Sequence, residues 1–460
     1  MQHRQVRPGL VLLLAFLHGL LYLAIVPPWQ NFDETGHFEY VRSMALNGEQ
    51  HAQAERLTRH EIADSMYRFR FWSAGVRPDL FSPEGPQVGI SQRVHPPMYY
   101  LLAALPVRGT QYLSIETQLY VARLVSLGFY MLTVLVAWQL GRLVAPDQPL
   151  LQTTVLLLLI MTPAFANMMT AVNNDVLVNF SMACVLLGCV YLIRDGLRPW
   201  SLVLVALSLI VAIGSKRTAV VGIVPVALTL LWTVYRESIR WHVWVTVISV
   251  VLLVGGCGAF EYAPAVGSEG TWHLFQARPW LVELDQAYLR LQVDHVIQSL
   301  SDWERSRQVY PSLIYILFTS FWMHFGWGHV RMGTGWERAM LGVVGVATIG
   351  LVRQVLWRQQ PLALAQRRWI LLAVVTVAAA WVAAIMRLHP LPPPGTWMYI
   401  PRGRYMHLAL LPTLWLLVLG YNGLVPRRWR RYSLSVLVLF FMLLDLAAWA
   451  VTLINFYYRS

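Results

Sequence analysis

Two adjacent carboxylates, Asp33 and Glu34, follow an apolar run that ends at Pro27-Pro28-Trp29. A carboxylate held at such a boundary, among aromatic residues, can act as a general base toward a hydroxyl group. His37 comes four residues after Asp33, so on a helix the two would share a face. The plainer alternative for this pair is helix capping by Asp33 with Glu34 in water. His95, which opens His95-Pro96-Pro97-Met98-Tyr99-Tyr100, could reach the same place as a ligand or hydrogen-bond donor. The two prolines would also make an entry turn, and the two tyrosines would suit the interfacial level of a membrane. Asp175 follows Asn173-Asn174 and heads another apolar run. A helix N-terminus favours a carboxylate by about 0.3–1 kcal/mol, so capping alone accounts for Asp175 unless it shares a face of the molecule with Asp33.

The second group of reactive residues is basic: Lys216-Arg217, Arg387, and Arg402-Gly403-Arg404-Tyr405. Most Lys and Arg in this chain lie in short segments on alternate sides of successive apolar runs, and these break that pattern. Cations kept where the bias disfavours them point to an anionic partner, phosphate first. Arg can grip phosphate with two parallel hydrogen bonds, while Lys acts as a point charge. Anchoring to lipid headgroups by snorkelling side chains is the competing explanation. The stretch Phe318-Thr319-Ser320-Phe321-Trp322-Met323-His324-Phe325-Gly326-Trp327-Gly328-His329 is dense in rings that could line a sugar or prenyl site; an interfacial aromatic belt is the better single reading.

The elements that must position these residues are membrane helices. The 460 residues are 57% hydrophobic and 13% charged, against roughly 45–50% and 25% in soluble domains. Apolar runs near the ~20 residues needed to cross a bilayer recur along the whole chain. They predict an all-α polytopic membrane protein of about eleven spans, within a range of 10–13, at 9–27, 117–141, 149–165, 175–193, 199–214, 218–235, 241–260, 338–353, 369–387, 405–421 and 432–456. With eleven spans, Arg4 and Arg7, Arg142, Arg194 and Arg198, Arg236 and Arg240, Arg353 through Arg368, and Arg427 through Arg431 all face the cytoplasm, as does the N-terminus. Asp33, His95, Asp175, Lys216 and Arg404 then face the other side. The chain reads as one membrane unit over 1–460, with a large first outer loop at 28–116 and a second at 261–337. Two apolar segments inside those loops, 95–107 and 310–325, are expected to lie on or dip into the outer surface. The net charge of +13 carries no nucleic-acid motif, which excludes that partner class. Cys184, Cys189 and Cys257 lie within or at the edge of apolar segments and are expected to pack as small hydrophobes.

Taken in order, these segments resemble the GT-C superfamily of membrane glycosyltransferases, which includes protein O-mannosyltransferases and the transferases that add aminoarabinose to lipid A. The likeness lies in the sequence of features: Asp33-Glu34 after the first span, the turn His95-Pro96-Pro97-Met98, and a Pro-containing loop from Thr162-Pro163 to Asp175. It is closer to a bacterial subgroup with Pro-Pro, then Asp-Glu and two residues before His-Phe, here Pro27-Pro28, Asp33-Glu34 and His37-Phe38. That subgroup is also similar at Phe321-Trp322-Met323-His324-Phe325-Gly326-Trp327 and at Gly403-Arg404-Tyr405. One departure is Arg402, which stands beside Gly403 where a Gln is expected.

The resemblance implies an inverting transfer of sugar from a polyprenyl-phosphate donor to an acceptor hydroxyl on a glycan, lipid or protein. The setting it implies is the extracytoplasmic face of a bacterial inner membrane. It gives Asp33 and Glu34 catalytic roles and assigns His37, His95 and Asp175 to positioning the acceptor or holding Mg²⁺ or Mn²⁺. The donor phosphate falls to Lys216, Arg217, Arg402, Arg404 and Tyr405. The rival readings are a lipid-linked glycan flippase or transporter and a noncatalytic glycan-assembly subunit; transporters more often carry charges at mid-membrane and repeated halves.

Overall fold

The computed structural model describes residues 7–46, 51–71, 85–89, 92–93, 95–237, 260–266, 272–279, 297, 300–356, 364–387 and 402–459. The protein is an all-α polytopic membrane fold. Among the described residues eight helices are long and apolar enough to span a membrane. A ninth is the broken pair Pro149–Ile160 and Pro163–Met169, bent by 64°. The predicted run 199–214 forms a helix of 15 residues, Pro199–Ile213, whose length of about 22 Å falls short of the ~30 Å hydrocarbon core. The predicted run 241–260 lies, apart from its last residue, outside the described residues.

Helix α1 (Pro8–Ile25) stops where Pro27 pushes Val26 out of helical geometry, to φ −82° and ψ 113°. Two helices follow, α2 (Glu34–Ala45) and α3 (His51–Arg68). They are tied by ion pairs, Glu39 to Arg59 at 2.8 Å and Arg42 to Glu61. The segment predicted at 95–107 is α4 (Met98–Arg108), only 11 residues long and too short to cross. Then come α5 (Ile115–Val144), α6 (Pro149–Ile160), α7 (Pro163–Met169), α8 (Asp175–Asp195), α9 (Pro199–Ile213) and α10 (Ile223–Glu237). The break between α6 and α7 sits at Thr162-Pro163, where proline begins the new helix and holds Thr162 extended. α8 is buried along nearly its whole length and packs against α5, α9 and α10, with Cys184 and Cys189 inside it as small buried groups.

β1 (Phe260–Val266) and β2 (Trp272–Pro279) form an antiparallel hairpin. The segment predicted at 310–325 is the C-terminal part of a longer helix, α11 (Trp303–Met323), capped by Asp302 accepting from the Arg305 N–H at 3.0 Å. A tight turn, β3 (His324–Phe325) to β4 (Val330–Arg331), leads into α12 (Thr334–Leu356). The last spans are α13 (Leu364–Met386), a 3₁₀ turn Gly403–Ala409 running into α14 (Leu410–Leu424), and α15 (Arg430–Leu446), which continues as π-helical turns to Arg459. α12 and α14 cross at Gly350 and Gly420, where each lacks the Cβ that would strike the other's backbone.

First and last spans are joined by a polar clasp within the membrane. Asp445 accepts from the Tyr22 hydroxyl at 2.8 Å and pairs with His18 Nε2 at 2.8 Å. Asp445→Ala leaves the fully buried Tyr22 hydroxyl without its acceptor. The expected loss is about 1–3 kcal/mol, readable as a lower unfolding midpoint of the purified protein, whereas Asp445→Asn should retain most of it.

Candidate functional site

Chain ends that are far apart in sequence converge at one end of the bundle: the exit of α1, the starts of α5 and α8, the exits of α9 and α13, and the turn before α14. Asp33 occupies the N-cap of α2 but its side chain does not cap. It sits in the left-handed region at φ 53° and ψ 17°, and its carboxylate receives the Arg404 guanidinium instead. That ion pair links positions 371 residues apart. Asp175 pairs with Lys216 at 2.5 Å, both side chains about 5–6% exposed. Asn173 orders the approach: its Oδ1 accepts from the Asp175 N–H at 2.8 Å, and Asn174 Nδ2 donates to the Ser215 carbonyl at 2.9 Å.

The ring of Tyr405 gathers the cations. Lys216 Nζ lies 4.8 Å, Arg387 Cζ 4.1 Å and Arg404 Cζ 5.3 Å from its centre. Arg404 also lies 4.6 Å from the Phe32 ring centre, so it is held between two aromatic faces. Gly403 lets this strand of the site press against α11: a Cβ there would collide with the Phe321 and Ser320 backbone, and its N–H donates to Ser320 Oγ at 2.7 Å. His407 completes the junction through its ring nitrogen at 2.8 Å from the Phe321 carbonyl. Phe321 and Trp322 are therefore buried inside the protein rather than placed in the predicted interfacial belt. Tyr99 and Tyr100 depart from the interfacial expectation in the same way. Both are fully buried, Tyr99 against Ser126 Oγ at 2.9 Å and Tyr100 against His37 Nδ1 at 2.8 Å.

Glu34 turns away from this cluster. With Arg123 it forms a fully enclosed pair, both side chains at 0% exposure, through Nε to Oε1 at 2.8 Å and Nη2 to Oε2 at 2.6 Å. Arg123 also donates to the carbonyls of Val26 at 2.7 Å and Pro27 at 3.0 Å, satisfying acceptors freed where α1 ends. Neither the solvated Glu34 of the capping alternative nor a freely accessible one is what the fold contains. Arg123 carries a sequence signal of its own, since an arginine inside an apolar run of spanning length is a candidate for a functional or structural partner by default.

His37 and His95 stack with ring centres 6.3 Å apart and planes 12° from parallel. Burial lowers the His37 imidazole well below its ordinary value, and burial, aided by the Lys216 charge, draws His95 down to about 3. Burial likewise lowers the Lys216 ammonium, against the pull of Asp175. Arg402 faces another direction, packed over Gly328 beside Phe32, and Arg217 opens the 3₁₀ turn after Lys216, half-buried.

The low His95 value has a consequence for stability. An unfolded chain takes up a proton at His95 below about pH 6.5, whereas the folded chain does so only near 3. The stability held above pH 6.5 is thus lost progressively as pH falls toward 3. The unfolding midpoint is expected to drop between pH 6.5 and 4, and to drop less in His95→Gln. Parallel pH profiles for the two proteins would exclude this.

Arg404 Nε and Nη1 and Asp175 Oδ2 are among the buried polar atoms of the cluster that lack partners. Three cations, Lys216, Arg387 and Arg404, gather around the Tyr405 ring, and two carboxylates, Asp33 and Asp175, pair with two of them. That excess and those vacant donors suit an anion with several oxygens. A divalent cation fits poorly. Mg²⁺ or Mn²⁺ needs about six oxygen ligands, yet Asp33, Glu34 and Asp175 are each paired with a Lys or Arg, and no three His, Cys, Asp or Glu side chains converge among the described residues.

No protein family and no curated protein matches the chain. Among solved structures, the apo crystal structure of ArnT from Cupriavidus metallidurans is similar at 15% identity, over 96% of this chain and 76% of that one, with a TM-score of 0.36. A likeness that loose assigns no role to any residue.

Proposed function

We propose that this chain is a membrane glycosyltransferase that moves a sugar from a polyprenyl-phosphate donor to an acceptor hydroxyl, with inversion at the anomeric carbon. The observation that carries the reading is Arg404: one nitrogen holds Asp33, the base candidate, while two buried nitrogens have no acceptor. A donor phosphate bound there would sit beside the carboxylate that must meet the attacking hydroxyl. In the reaction, Asp33 accepts the proton of the acceptor hydroxyl, the hydroxyl oxygen bonds to the anomeric carbon, and the carbon–phosphate-oxygen bond breaks with its electrons going to the phosphate. The leaving polyprenyl phosphate gains a negative charge in this step. Arg404 and Lys216 meet that charge where it develops, with Arg387 and Tyr405 behind them.

Asp175 holds Lys216 in place, and the neutral His37 and His95 bound the acceptor side. Arg217 and Arg402 are assigned to the rim of the phosphate site. Charge stabilisation is given to these cations rather than to a metal, because the carboxylates are already engaged. A cavity of about 220 Å³, lined by Phe318, Phe321, Trp322, Val344, Trp381 and Leu417 among others, includes the residue that follows Ser320, the acceptor of the Gly403 N–H, and suits the prenyl tail. Glu34 becomes a positioning residue that sets the backbone from which Asp33 projects. The basic residues at the opposite end, among them Arg142, Arg194, Arg353 and Arg428, support an extracytoplasmic site in a bacterial inner membrane.

The test is transfer of labelled sugar from polyprenyl-phosphate donors, and separately from nucleotide sugars, by the purified full chain reconstituted in vesicles. Product from the lipid donor alone is the expected result. Translocation of the lipid-linked sugar without transfer would replace this reading with transport.

A further inference from the structure

At the end of the bundle away from Asp33, the last turns of α5 and α8 and the first turns of α13 enclose a cavity of about 230 Å³. Leu143, Val144, Val190 and Ile193 make its walls apolar, and Arg194 and Arg368 are its charged lining residues. Arg368 donates one nitrogen to the Ile193 carbonyl at 3.4 Å and lies over the Trp232 ring at 5.4 Å. Its buried Nε has no hydrogen-bond partner. Trp369 also lines the cavity, is 1% exposed, and its indole N–H lacks an acceptor too. Buried donors are rarely left unpaired in folded proteins. The carboxylate beside them, Asp195, is engaged by Arg194 Nε at 2.7 Å.

The combination asks for a negatively charged acceptor carried on an apolar body. Water could satisfy one N–H but would leave the Arg368 guanidinium, which has no carboxylate partner among the described residues, uncompensated at the edge of the hydrocarbon. We propose that this cavity binds the headgroup phosphate of an anionic phospholipid, gripped by Arg368 and Arg194 and by the Trp369 N–H, with the acyl chains lying outside along α8 and α13. Basic pockets between membrane helices recognise such headgroups, and an indole at this level supports them. The site is independent of the transferase reading, since it lies at the other end of α5, α8 and α13.

The experiment uses the purified full chain in detergent, titrated with phosphatidylglycerol, phosphatidylcholine or inorganic phosphate, reading retained lipid by native mass spectrometry and the unfolding midpoint. Phosphatidylglycerol is expected to be retained and to raise the midpoint, and Arg368→Gln to weaken retention roughly tenfold, the loss of one charge-assisted hydrogen bond. Trp369→Phe, which keeps the ring and removes the donor, should weaken it less, and Arg428→Gln, exposed at the same end, not at all. Equal retention of phosphatidylcholine and phosphatidylglycerol by the wild-type protein would overturn the proposal without any variant having to fold. So would a full midpoint shift from inorganic phosphate alone, which would make this a soluble-anion site, or unchanged retention in Arg368→Gln.

Discussion

Asp33→Asn is expected to reduce sugar transfer by roughly 10²–10⁴-fold, the usual worth of a positioned general base, at unchanged protein level. Asparagine is the appropriate replacement for a structural reason. Position 33 lies at φ 53°, and Asn is among the few non-glycine residues that adopt the left-handed region readily. The side chain keeps its shape and can still accept from Arg404, so the backbone and the cluster stay in place while basicity is removed. Asp33→Ala is less informative because it adds backbone strain and strands the guanidinium. Arg404→Lys should act on the other half of the reaction: it keeps one charge but not the planar fork that holds Asp33 and phosphate together. Transfer by Asp33→Asn at more than a tenth of the wild-type rate would rule out Asp33 as the base.

The second large effect falls on folding. Arg123→Ala is expected to destabilise the protein by about 3–5 kcal/mol, the cost of leaving one charge of a buried pair uncompensated. Glu34 would remain without its partner, and the carbonyls at the end of α1 would lose their donor. Glu34→Gln should cost less, since the amide oxygen can still accept from Arg123. Comparing it with Asp33→Asn separates the two neighbours: activity per folded molecule is expected to fall far more for Asp33→Asn than for Glu34→Gln. Thermal unfolding of the purified variants, with transfer normalised to folded protein, makes the measurement. An Arg123→Ala protein that unfolds at the wild-type midpoint would show that the pair contributes nothing.

Much of the architecture is written in local properties of the chain. Mean hydropathy over spanning-length windows is a sum over neighbours in sequence, which is why the runs 117–141, 175–193, 369–387 and 405–421 correspond to described helices with ends shifted by only a few residues. Proline also acts locally: Pro27-Pro28 marked the exit of α1 at Val26, whereas the predicted run 149–165 passed through the break that Pro163 makes at Thr162. The alternation of basic segments carried further, separating Arg142, Arg194 and Arg353 from Lys216 and Arg404. The length of 199–213 was harder to foresee, because a helix backed by other helices need not cross the bilayer by itself.

Partners were beyond the sequence. Asp33 and Glu34 are adjacent and chemically alike, yet one meets Arg404 and the other Arg123, 371 and 89 residues away. Asp33 sits in left-handed backbone just before the helix that Glu34 begins, so the two side chains go to different neighbours, and only the packing of α1, α2, α5 and the Gly403 turn determines who those neighbours are. The same holds for the aromatic stretch at Phe321–Trp322, whose composition fits a membrane belt or a core equally well until Gly403 brings the next chain segment against it. Sequence alone determined that this is a polytopic membrane protein with acidic and basic residues on one side. Tertiary structure decided which carboxylate is enclosed and which stays at the cluster, because ion pairing in a low-dielectric interior depends on distances of a few ångströms between groups that the chain holds far apart.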